Sequence, residues 1–184
     1  PFDGINEQGL AVGMAAVPAA GGMKDDPDKE NIYSLVMIRE MLDHAANVDQ
    51  ALALMGRYNI VFGGPPLHYL LADSTGRSAL VEFYQGEMVV IRNEQPWQMA
   101  TNFLCAPDGK CSTGKCRRYD TIHERLEGTQ GQLTPLEAMD LLAEVSQEGT
   151  QWSIIYGINT GVISAAVGRE YETVHDFFLN NEFD

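Results

Sequence analysis

Asn102 and Arg118 are the side chains whose type and placement best fit chemistry. Both lie in the stretch 98–119, the one place where reactive residue types crowd together. Asn102 follows a short apolar run, 99–101, that reads as the end of a strand. A loop rich in Gly and Lys follows, carrying Cys105, Cys111 and Cys116. Arg117, Arg118 and Tyr119 then open a helical pattern. An amide at a strand end and a guanidinium at a helix start are two fixed hydrogen-bond donors. Such a pair can stabilise an oxyanion or clamp a carboxylate. The plain alternative is a polar loop with a satisfied Asn and a solvated Arg pair, and both readings stand on these residues alone.

The three cysteines do not make a disulfide framework by count, because an odd number leaves one thiol over. In an oxidising compartment Cys111 and Cys116 could close a small disulfide. The three thiols and His123 could instead hold a metal. A lid loop with incidental thiols is the preferred reading, because the spacings lack the paired C-x-x-C form. His44 and His123 read as surface or interface residues, His68 as a core hydrogen-bonder, and His175 has no evident partner. Asn6 and Glu7 read as turn-holders. Trp152, Phe177 and Phe178 read as core aromatics, residue types that could also wall an acyl pocket.

The elements that must position these residues follow from periodicity. Residues 10–17 form a strand of small apolar residues, and 19–28 a surface loop. Ile32, Leu35, Ile38, Leu42 and Ala45 predict a helix over 31–46. A second helix is expected over 48–58, with Asn47 or Asp49 as N-cap. Strands at 67–72, 79–83 and 87–92 are joined by tight turns. Residues 99–102 extend that meander as a fourth strand. A helix over 118–126 follows. Thr134-Pro-Leu-Glu137 is a strong helix start. Residues 152–158 and 161–167 form a hairpin, and 171–179 an extended end. Segregated strand and helix runs argue for an α+β fold in one domain, 1–184.

The net charge of −14 repels nucleic acid and anionic membranes, so neither is an expected partner. No apolar run reaches the roughly 18–20 residues of a membrane span. The compartment is not fixed by the sequence, with cytoplasm favoured. The 45% hydrophobic and 21% charged fractions are those of an ordinary globular chain.

Five segments, in register along the chain, resemble the choloylglycine hydrolase family. Asp3-Gly-Ile-Asn-Glu-Gln-Gly-Leu resembles its Asp-Gly-Met-Asn-Glu-Lys-Gly-Leu segment. The stretch from His68 through Asp73-Ser-Thr-Gly-Arg-Ser to Val81-Glu82 resembles its His…Asp-x-Thr-Gly-Lys-Ser…Val-Glu hairpin. Ala100-Thr-Asn102 resembles its Leu-Thr-Asn strand end, and Arg118-Tyr119 its Ser-Arg-Phe/Tyr helix start. Trp152-Ser-Ile-Ile-Tyr resembles the late strand of the penicillin acyltransferase-like branch.

The resemblance implies an Ntn-hydrolase-like αββα sandwich: two antiparallel sheets between helical layers, here missing its N-terminal strands. It implies hydrolysis of a small-molecule acyl amide by an N-terminal Cys whose own α-amine is the base. Transfer to another amine is the alternative fate of the acyl group. Asn102 then matches the Asn that helps bind the oxyanion or the amino terminus. Arg118 matches the Arg near the nucleophile, with Arg117 the fallback if the register slips. No cofactor and no metal is called for. A homo-oligomer, and the upstream segment as a separate chain, are the protein partners implied. Two departures stand out. None of the three cysteines is terminal, so the nucleophile is expected outside 1–184, in a chain that is a truncated piece or one of two. The family's other oxyanion Asn falls at Ala16, which has no side-chain donor. An inactive homologue serving as a binding or interaction subunit is therefore the competing reading.

Overall fold

The structure, a computed structural model, describes residues 1–179. In chain order its elements are β1 (Asp3–Ile5), β2 (Leu10–Ala16), β3 (Glu30–Tyr33), α1 (Ser34–His44) and α2 (Val48–Met55). Next come β4 (Tyr58–Val61), β5 (Leu67–Asp73), β6 (Ser78–Tyr84), β7 (Glu87–Arg92) and a single 3-10 turn, Ala106–Asp108. The chain continues with α3 (Arg117–Thr129), α4 (Pro135–Glu144), β8 (Trp152–Gly157), β9 (Val162–Val167) and β10 (Val174–Phe178). β1-β2-β5-β6-β7 form an antiparallel five-stranded sheet, and β10-β9-β8 an antiparallel three-stranded one. The fold is α+β, with antiparallel sheets and helical layers as expected.

Alternation along the strands decides where the main core sits. Leu10 and Val12 of β2, Tyr69 and Leu71 of β5, and Val81 and Phe83 of β6 point to one face. There they pack on Met37, Ile38 and Met41 of α1 and Val48, Ala51 and Met55 of α2. α4 packs on β8 of the smaller sheet. Asp3 ties the sheets together, accepting from Trp152 Nε1 and Tyr156 Oη of β8. Burial and the Asp3 carboxylate push the Tyr156 phenol well above its ordinary range.

The structure departs from the sequence expectations at several points. The helix of 31–46 begins only at Ser34, because Glu30–Tyr33 pairs in parallel with Tyr58–Val61, and the second helix, expected to run to residue 58, ends at Met55. Asn59 fixes that pairing, its amide donating to the Asp26 and Lys29 carbonyls and to Asn31 Oδ1. Residues 99–102 add no strand to the meander. The Phe103 amide turns back to the Thr101 carbonyl, and the Gln98 side chain takes the Ile91 carbonyl of β7. Trp152, Phe177 and Phe178 are not core residues: Phe177 and Phe178 are 57% and 68% exposed. They sit on β10, the outer strand of its sheet, and Trp152 leans on Phe2 at the sheet junction. The α4 capping box forms as read, with Thr134 and Glu137 reciprocally bonded.

Asp73 joins the β5–β6 turn to α2. Its carboxylate accepts from the Val48 amide at 2.9 Å and from the Thr75 amide and hydroxyl. Burial opposes its ionisation, but the Thr75 and Val48 donors outweigh it and hold the carboxyl below its ordinary range. A folded-state pKa below the unfolded one contributes stability above the unfolded value, near 3.9. That stability disappears as pH falls through the folded value. Asp73→Asn should therefore destabilise the chain by about 1–3 kcal/mol at pH 7. The gap from wild type should begin to narrow as pH falls below about 4, the unfolded value, and go on narrowing as pH falls further, as denaturant titrations at pH 7, 4 and 2 would read.

Candidate active site

Three chain segments meet at Asn102. Its Nδ2 donates to the Ala16 carbonyl at the end of β2, at 2.7 Å. Its Oδ1 accepts from Arg118 Nη2 at 2.6 Å. Arg118 lies in the first turn of α3, whose N-cap is Cys116. A guanidinium only donates, so it fixes which way the Asn102 amide faces. Arg117, the fallback, does not reach Asn102; it is exposed and lines a cleft with Thr121, Glu144 and Ser146. The two positions that the resemblance maps to oxyanion residues, 16 and 102, are thus in contact, and Ala16 contributes its backbone.

An apolar cavity of about 350 Å³ opens on the Ala16 side. Phe2, Met14, Ala16, Tyr33, Leu35 and Leu67 line it. Leu35, expected on the packed face of α1, is one of its walls instead. The cavity and Asn102 share Ala16.

The loop beyond Asn102 is stapled. Cys105 and Cys111 form a disulfide, and Cys116 is the free thiol. The bond overturns the preferred reading of incidental thiols, and it is not the Cys111–Cys116 pair that the sequence left open. It also removes two of the thiolates that a metal site with His123 would need. Among the described residues no group of three or more His, Cys, Asp or Glu is placed to hold a metal. Cys105 and Cys111 flank the Ala106–Asp108 turn and are drawn together by it. Lys115 bonds Asp108 across the loop and sits over the Phe103 ring. Phe103 in turn packs edge-on against Tyr119 of α3. His123 lies between Trp97 and Tyr119 with its side chain part-exposed. Burial opposes ionisation of the Cys116 thiol. The Tyr119 amide, the Thr101 hydroxyl and the Arg118 amide and charge outweigh it and lower the thiol's pKa.

Sequence reasoning missed one residue of this region. Glu82, fully buried on β6, accepts the amides of Cys105 and Ala106 and the ring of His68. The signal was present: a carboxylate stands inside the apolar run of 78–84, where only a partnered acid is tolerated. His68 is the core hydrogen-bonder expected.

Comparison with known proteins completes this description. A sequence model of the linear amide C–N hydrolases, choloylglycine hydrolase family, matches residues 1–122. Penicillin V acylase of Pectobacterium atrosepticum is 28% identical over 111 residues, an alignment covering 54% of this chain and 29% of that protein. The fold is similar to that of a variant of conjugated bile acid hydrolase from Clostridium perfringens, with a TM-score of 0.78 at 15% identity. That match covers 98% of this chain and 73% of the other. Penicillin V acylase from Agrobacterium tumefaciens gives 0.65 at 18% identity, covering 98% and 66%. The chain thus matches less than a third of the length of the curated acylase. No helix among the described residues is long and apolar enough to cross a membrane.

Proposed function

Because the chain belongs to the choloylglycine hydrolase family of linear amide C–N hydrolases, we propose that the whole protein cleaves a small N-acyl amide. The nucleophile in this reading is an N-terminal Cys outside residues 1–184. Its thiol attacks the amide carbonyl while its α-amine takes the proton. The oxyanion that develops is met by the free N–H of Asn102, which Arg118 and the Ala16 carbonyl hold in place. The amine departs with a proton, and water hydrolyses the thioester.

The observation that carries the reading is the Ala16–Asn102–Arg118 contact beside an apolar cavity of about 350 Å³. A polar amide donor next to an apolar pocket suits a substrate with an apolar acyl part and a polar scissile bond. Relatives named as a conjugated bile acid hydrolase and penicillin V acylases support that substrate class. Transfer of the acyl group to a second amine is the same chemistry with a different acceptor.

The absence of a side-chain donor at Ala16 favours a second reading, an inactive homologue that binds without cleaving. The N-terminal sequence of the native full-length product separates the two. A first residue of Cys, with no turnover by residues 1–184 alone, is the expected result. A mature terminus that is neither Cys, Ser nor Thr would leave the binding reading.

A further inference from the structure

We propose that Glu82 is a positioning residue for this site. Its buried carboxylate, backed by His68, anchors the turn that carries Asn102. The inference rests on the reading of Asn102 just given.

Glu82 is 0% exposed and His68 1% exposed. They lie one residue beyond the Tyr69–Val81 pair on β5 and β6, on the face turned away from α1 and α2. An unpaired acid in such a place is prohibitively costly, so its partners explain its presence. His68 Nδ1 lies 3.0 Å from Oε1. The Cys105 amide donates to both oxygens, at 3.1 and 2.9 Å, and the Ala106 amide to Oε2 at 2.6 Å. His68 Nε2 has no partner among the described residues. With its proton on Nδ1 the ring would donate to Glu82 and leave only a lone pair unmatched at Nε2. Every donor around the carboxylate is then used.

Two of those donors belong to the loop, not to the sheet. Only Phe103 and Leu104 separate Asn102 from Cys105. The Phe103 amide closes on the Thr101 carbonyl, and Leu104 packs with Val17 and Ala20. The segment 101–106 is therefore one compact turn, pinned to β6 by Glu82 at one end and to β2 by Asn102 at the other. The disulfide extends the pin to Cys111. Displacing a positioned donor by about 1 Å can cost on the order of 100-fold in rate. A carboxylate suits this anchor because it only accepts; a glutamine would set an NH2 group against a backbone N–H.

Glu82→Gln is the test. In residues 1–184, amide exchange at Cys105 and Ala106 should speed up about tenfold or more, and the Asn102 side-chain amide resonances should shift. Exchange at Tyr69 and Phe83 should not change. In the complete protein kcat should fall about tenfold with KM within twofold. Unchanged Cys105 and Ala106 exchange together with unchanged Asn102 resonances would overturn the proposal. A complete protein that cleaves no amide would defeat the functional reading and leave these exchange and resonance measurements to decide Glu82. If the Gln variant does not fold, Glu82→Asp keeps the charge but withdraws it by one methylene. In a folded Asp variant, faster exchange at the same two amides supports the anchor and unchanged exchange removes it.

Discussion

Asn102→Ala in the complete protein should lower kcat by about 10²–10³-fold, roughly 3–4 kcal/mol of transition-state stabilisation, the scale of one lost oxyanion donor. The expectation comes from counting hydrogens. Nδ2 carries two, and one is bound to the Ala16 carbonyl. The other has no partner among the described residues. Arg118 occupies Oδ1, so the amide cannot flip and turn its oxygen toward substrate. Asn102→Asp sharpens the test. It keeps the size and the Arg118 contact but replaces the donor by a second acceptor, and it should be as slow as the alanine variant. Steady-state rates on an N-acyl amide read both. Equal rates for wild type and Asn102→Ala would leave Asn102 with the structural task of bridging β2 and α3.

What could be read from the sequence depended on whether the signal was local. The strands of the meander and the late hairpin were legible, because period-two alternation and Gly-containing turns are written in consecutive residues. The Thr134 capping box was legible for the same reason. The β3–β4 pair was not: its strands are four residues each and parallel, and Ile32 also fits a helical spacing. The exposure of Phe177 and Phe178 is a matter of which strand ends a sheet, and no local pattern encodes that. The Cys105–Cys111 bond spans the turn at Ala106–Asp108, whose start is bonded to Glu82, a residue remote in the chain. In the candidate site, Asn102 and Arg118 were legible as residue types, although only Arg118 stands at an element end. The Ala16 carbonyl was not, since a backbone group leaves no mark in the sequence.

The other large expected effect lies at Asn6, and it separates resemblance from chemistry. Asn6 belongs to the segment most like the family's own, yet its side chain is spent on the fold. Its Nδ2 donates to the carbonyls of Leu42 and Ala45, at 2.9 and 2.7 Å, closing the C-terminal end of α1. Its Oδ1 accepts from the amides of Gln8 and Leu10, at 3.1 and 2.9 Å, shaping the β1–β2 turn. Gly9 completes that turn at a φ of +82°, a value that favours glycine. All four hydrogen-bonding positions of the side chain are filled, in a buried place. Asn6→Ala would strand two carbonyls and two amides. At about 1–3 kcal/mol for each group left unsatisfied, offset where water enters, the loss should be about 3–5 kcal/mol. For a chain of this size that is a fall in Tm of about 10 °C or more. Asn6→Asp should be no better, because it keeps the acceptors and turns a carboxylate toward two carbonyls. Thermal unfolding of residues 1–184 reads both without any activity assay. A Tm within about 2 °C of wild type for Asn6→Ala would contradict the structural assignment of Asn6.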